Sequence, residues 1–188
     1  MKHFRIIHVL LMTTLSASVF SQGFLKTDGK EIVNDKGEKV LLKGIGLGGW
    51  MLQEPYMLQL SEVAGTQTEI RSKITDLMGA ENTEKFYSAY RKSMITKRDI
   101  DSVRAWGFNS IRLPMHYNLF TLPLEKEPVA GKNTWLREGV ILTDSLLKWC
   151  KQNEIYLILD LHATPGGQGN DRPIADVDTL KPQLWESQ

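Results

Sequence analysis

The chain has 188 residues, 23 of them basic and 22 acidic, for a formal net charge of +1. That balance excludes the basic stripe of a nucleic-acid binder and the polybasic patch of a protein held on an anionic membrane. Hydrophobic residues make up 41% of the chain and no low-complexity run interrupts them, which excludes a disordered chain and is ample for a folded core.

The first residues, "MKHFRIIHVLLMTTLSASVFSQ", run from a cationic start (Lys2, Arg5) through an apolar stretch to small and polar residues. This is the order of a secretory signal, with an apolar stretch too short to span a bilayer. Val19 and Ser21 are the small residues a signal peptidase needs, so cleavage is expected after Ser21, leaving residues 22–188 as an exported portion with no membrane segment.

Next, "FLKTDGKEIVNDKGEKVLLKGI" contains short β-type runs separated by Asp28-Gly29 and Asp35-Lys36-Gly37, which predicts a small hairpin and then a strand over 40–45. Thr66-x-x-Glu69 is a capping-box signature, followed by Ile70, Ile74, Leu77 and Met78 at helical spacing and by Gly79 as a stop. Phe86, Tyr90 and Met94 mark a second helix. Thr96-x-x-Asp99 opens a third, with Ile100, Val103 and Trp106 on one side and Gly107 at its end.

"FNSIRLP" predicts a short strand closed by Pro114, and a long loop leads to a helix marked by Leu142, Leu146 and Trp149. Cys150, the only cysteine, shares a helical face with Leu146 and reads as a small core residue. "IYLILDLH" is apolar enough to be a strand buried on both faces. The loop "ATPGGQGNDRPIAD" follows, and "LWESQ" is expected to start another helix. Alternating strands and helices define an α/β class.

Gly44, Gly46 and Gly49 in "LLKGIGLGGWMLQEP" have the G-x-G-x-x-G spacing of a dinucleotide-binding turn. That reading requires a helix to start at the third glycine, where free backbone N–H groups bind the pyrophosphate. Pro55 would disrupt such a helix within its second turn, and Glu69, the acidic residue near the expected distance, belongs to a helix start. The glycines instead suit a turn at a strand end that brings Trp50 and Glu54 close to a ligand, an aromatic face and a carboxylate being suited to a sugar ring. A turn with Trp50 packed in the core is the alternative.

Arg112 ends an apolar strand, where a charge needs a partner. Asp160 and His162, two apart on the next strand, point to one side. In parallel α/β sheets and barrels the C-terminal strand ends carry the chemistry. The alternatives are a structural ion pair for Arg112 and a hydrogen-bonded core histidine for His162, and Asp160 and His162 as metal ligands are a further possibility, although a metal site wants three or four ligands. Gln168, Asn170 and Asp171 give the last loop amides and a carboxylate able to bond hydroxyls.

Together, "LLKGIGLGGWMLQEP", "GFNSIRLPMHYN" and "YLILDLHATPGGQGND" resemble glycoside hydrolase family five, the cellulase and β-glucanase family, with "GLGGW…EP" closest to its exo-β-1,3-glucanase-like branch. The resemblance covers nearly all of the chain after residue 40. It implies the first three strands of a (β/α)₈ TIM barrel preceded by the hairpin, and retaining hydrolysis of β-glucans by two glutamates at the ends of the barrel's fourth and seventh strands. It also implies that Arg112 supports the nucleophile, that His162 lines the subsite of the reacting sugar, and that Glu54 binds sugar. Trp50 joins Glu54 as a substrate-binding candidate, and His116, Tyr117, Gln168 and Asn170 are expected on substrate-facing loops.

No cofactor or metal is implied, and the expected partner is a β-glucan polysaccharide or oligosaccharide met by a monomer. Neither catalytic glutamate is found within 1–188, because Asn153-Glu154 precedes the third strand and is followed by Ile155 where the family has proline. Residues 22–188 therefore read as the N-terminal portion of a catalytic domain, inactive by itself. A non-catalytic glucan-binding protein and a metal-dependent barrel hydrolase are the competing classes.

Overall fold

A computed structural model describes residues 23–186. The expected leader and its cleavage position lie outside the described residues. Strands β1 (Lys26–Asp28) and β2 (Glu31–Val33) pair antiparallel around Gly29-Lys30, and Gly29 has φ 56°, the backbone such a tight hairpin turn demands. The strand expected over 40–45 is shorter and later: β3 is Gly44–Gly46.

Three helices follow with the expected caps. In α1 (Gln67–Met78) the Thr66 hydroxyl accepts the Glu69 N–H at 3.1 Å, and Gly79 at φ 77° ends the helix. The Glu69 carboxylate takes the N–H of Gly65, at 2.6 Å, so the reciprocal half of the capping box is displaced by one residue. Helix α2 is Ala80–Ser93 and α3 is Lys97–Ala105, where Asp99 accepts the Thr96 N–H at 2.7 Å. Ile100 and Val103 of α3 are buried as expected, but Trp106 is 69% exposed. It caps α3 just before Gly107 at φ 87°, so the helix ends before its ring can join the apolar face.

Strand β4 spans Ser110–His116 and continues through Pro114. The missing proline N–H costs little there, because β3 has already ended opposite Arg112 and the ladder resumes with His116 N–H donating to the Met51 carbonyl at 3.1 Å. After a 3₁₀ turn at Tyr117–Leu119 and the long loop, α4 (Arg137–Gln152) leads to β5 (Tyr156–Ala163). The order β3-β4-β5 is parallel throughout, so all three C-terminal ends lie along one edge of the sheet.

One face of this sheet builds the core. Ile111, Leu113 and Met115 of β4 pack with Ile100, Val103, Leu146, Cys150 and Trp50. Burial pushes the Cys150 thiol up to about 12, as suits a core residue rather than a nucleophile. Contrary to the sequence expectation, β5 is not buried on both faces: Leu159 is 57% and Leu161 51% exposed. Among the described residues only β4 pairs with β5, and α4 covers the sheet nearer the start of that strand. The loop after β5 forms a short helix, α5 (Arg172–Ala175), while residues 184–186 form a turn and not the expected helix start.

Candidate active site

Parallel register assembles the site. Gly46 pairs with Arg112 and Pro114 with Asp160, so Arg112, Asp160 and His162 project from the face opposite the core at the C-terminal ends. Arg112 Nη2 lies 2.5 Å from Asp160 Oδ2 and 3.0 Å from His162 Nδ1, and that Nδ1 is itself 3.0 Å from the same carboxylate oxygen. The contact with Asp160 is one of charge, since Oδ2 is sealed from solvent and receives no aligned hydrogen bond. Next to Oδ2, where a metal would have to sit, is a guanidinium.

Two of the three glycines have separate structural tasks. A Cβ on Gly44 would lie 2.7 Å from Ser110 Oγ, so this residue allows β3 and β4 to approach. Gly49, at φ 81°, turns the chain after the strand. Residues 51–55 that follow are buried, and Gln53 anchors them by accepting the Tyr87 hydroxyl at 2.9 Å while its own N–H donates to Gln67 at 2.7 Å.

This turn presents Glu54 and removes Trp50. Glu54 is 5% exposed and accepts the Tyr56 hydroxyl at 2.7 Å. Tyr56, half exposed, was not foreseen from sequence. The Glu54 hydrogen bond holds its phenol above its ordinary value, with Asp171 acting in the same direction and Arg112 against it. Tyr56 thus lies within the electrostatic reach of Glu54, Asp171 and Arg112. Trp50 is 2% exposed with its indole N–H donated to the Arg91 carbonyl at 2.8 Å. The core alternative holds for this ring, and we remove it from the substrate-binding set.

His116 is likewise 2% exposed and has no free nitrogen. Nδ1 accepts the Asn118 N–H at 3.2 Å, which leaves the proton on Nε2 to donate to Asp176 Oδ2 at 2.9 Å. Asp176 also accepts the Thr68 N–H at 2.9 Å and the Thr68 hydroxyl at 2.7 Å. Burial pushes the Asp176 carboxyl up, but the His116 and Thr68 contacts outweigh it and hold the group below its ordinary value. Tyr117 stacks on His116 with ring centres 4.9 Å apart. Burial raises its phenol. His116 is therefore a clasp between the loops after β4 and β5 and the start of α1, not a group offered to a ligand.

Gln168 and Asn170 secure the last loop. The Gln168 carbonyl accepts the Trp185 indole N–H at 3.1 Å, its side chain lies 3.4 Å from the Thr164 N–H, and Asn170 accepts from Gln183 at 2.7 Å. The structure therefore brings Arg112 and His162 together with Asp160, and sets Tyr56 on Glu54 beside them. Asn153 and Glu154 lie apart from this edge: Asn153 caps α4, and Glu154 pairs with Arg104 at 2.9 Å.

Residues 63–186 match the model of the cellulase family, glycosyl hydrolase family 5. The chain belongs to that family. It is 33% identical over 163 residues to a β-xylosidase of Phanerodontia chrysosporium, covering 87% of this chain and 32% of that protein. It is also 30% identical over 143 residues to a glucan 1,3-β-glucosidase of Candida oleophila, covering 72% and 31%. The chain thus spans about a third of the length of these family 5 relatives. A rutinosidase from Aspergillus niger superposes with a TM-score of 0.54 at 20% identity, over 72% of this chain and 36% of that structure, a likeness of fold.

Proposed function

We propose that residues 22–188 are the N-terminal portion of a secreted, retaining β-glucanase built on a (β/α)₈ barrel, with β3, β4 and β5 as its first three strands. The observation that carries this reading is the convergence of Arg112, Asp160 and His162 at the C-terminal ends of adjacent parallel strands, beside Glu54 and Tyr56, in a family 5 chain. A guanidinium on this edge would stabilise a carboxylate nucleophile by charge and bidentate hydrogen bonding. His162 and Glu54 supply a donor and an acceptor for sugar hydroxyls. The two catalytic glutamates would stand roughly 5 Å apart, one attacking the anomeric carbon and the other protonating the leaving oxygen.

The relatives named as glucan 1,3-β-glucosidases support a β-1,3-glucan as substrate. The test is to assay the full product of the gene on β-1,3- and β-1,4-linked glucans and to follow the anomer released by proton NMR. Release of the β-anomer from a β-1,3-glucan is expected, and release of the α-anomer would overturn the retaining mechanism. Saturable glucan binding without hydrolysis would make the protein a binding module.

A further inference from the structure

We propose that Asp160 is a positioning residue which, through Arg112, holds His162 as a fixed hydrogen-bond donor. Arg112 Nη2 carries two hydrogens and touches two acceptors, Asp160 Oδ2 at 2.5 Å and His162 Nδ1 at 3.0 Å. A guanidinium is never an acceptor. A proton on Nδ1 would therefore meet the Nη2 hydrogens head-on, and the carboxylate oxygen beside it is Asp160 Oδ2, 3.0 Å away.

Two arrangements compete for this triangle. Either Arg112 donates to a bare Nδ1 and the ring proton is on Nε2, or Nδ1–H donates to Asp160 and the guanidinium turns away. The geometry selects the first: Nη2 is aligned on Nδ1, whereas Oδ2 receives no aligned bond from the ring. Asp160 enforces the choice by anchoring the guanidinium with its charge. His162, with a side chain 21% exposed, then carries its hydrogen on Nε2. In this tautomer Nε2–H donates to an oxygen and Nδ1 is occupied by Arg112, so neither nitrogen offers a free lone pair for a general base. That the oxygen met is a sugar hydroxyl rests on the function proposed above; the tautomer does not.

The test is the two-bond ¹H–¹⁵N spectrum of the imidazole rings in the labelled full product of the gene, at a pH where the rings are neutral. Wild type is expected to show the Nε2–H pattern for His162. Arg112→Met is expected to switch it to Nδ1–H, with Asp160 accepting, and the Arg112→Met/Asp160→Ala double variant to lose that preference. Asp160→Ala alone is expected to populate both tautomers, with the backbone amide spectrum as control for folding. An Nδ1–H ring in wild type, or a His162 pattern in Asp160→Ala identical to wild type, overturns the proposal. Should a variant fail to fold, the wild-type tautomer still decides. A gene product with the Nε2–H ring and no glycosidase activity would sink the function and leave this inference standing.

Discussion

Among the described residues two histidine–carboxylate pairs stand at strand ends, and they differ in what the fold does with them. His116 and Asp176 have side chains 3% and 5% exposed, whereas those of His162 and Asp160 are 21% and 26% exposed. In both rings Nδ1 accepts, from the Asn118 N–H in one and from Arg112 in the other. The difference is at Nε2: in His116 it is spent inside the protein on Asp176, and in His162 it forms no such ion pair among the described residues. A histidine at a strand end serves structure or ligand according to whether its second nitrogen has already found a partner.

The largest expected effect tests the buried pair. Asp176→Ala leaves His116 and both Thr68 donors without their acceptor, and should destabilise the fold by about 3–5 kcal/mol. A urea midpoint that falls at unchanged slope would show it. The acid dependence follows from the lowered Asp176 carboxyl. A carboxyl lower when folded than when unfolded contributes stability above the unfolded value, about 3.9, and loses it as pH falls through the folded one. Asp176→Asn should therefore flatten the loss of stability below about pH 4. An unchanged acid slope would show that the clasp does not titrate with folding.

The second effect is on catalysis. His162→Ala should lower kcat/KM of the full gene product about 10²-fold, about 2.7 kcal/mol, the cost of removing one preorganised donor. The same change should move the urea midpoint by no more than about 1 kcal/mol, since the ring is at the surface edge of the sheet. His116→Ala should show the reverse division, and equal losses of activity in the two variants would erase the distinction drawn above.

Much of this arrangement was legible in the residues. Turn chemistry at Asp28-Gly29, the caps at Thr66 and Thr96 and the Gly79 stop all act over a few residues, and all appear where expected. That Asp160 and His162 point to one side follows from their spacing of two on one strand, but that they meet Arg112 is set by the register, which places Arg112 opposite Ile158. What was not legible depends on contacts far apart in the chain. Asp176 reaches Thr68 across 108 positions, and nothing in "IADVD" marks it. Trp50 and Glu54 follow one glycine turn, and local sequence does not say that the turn sends the indole inward, where Arg91 waits 41 positions away. Asp160 was visible as the partner of His162, but the metal it suggested is displaced by a guanidinium from another strand.

Thr68→Val sharpens the comparison at smaller scale. It removes the hydroxyl donor to Asp176 and keeps the backbone N–H, and because Thr68 is exposed water can take the place of the lost donor, which leaves a cost of about 1 kcal/mol in the urea midpoint.

Tyr56→Phe makes the equivalent deletion at the candidate site and should cost as little in stability. Here too a tyrosine or threonine hydroxyl donates to a buried carboxylate, at 2.7 Å in each case. The two settings are alike in access, because Tyr56 is 53% exposed and Thr68 is exposed too, so water can reach the position either oxygen vacates. Solvent replaces the lost donor, and the penalty falls to about 1 kcal/mol or less in stability. If Glu54 must be held in place to meet sugar, the same loss of order appears as a rise in KM of about fivefold with kcat little changed. A KM unchanged in this variant would mean that the Tyr56 hydroxyl does not hold Glu54 for sugar.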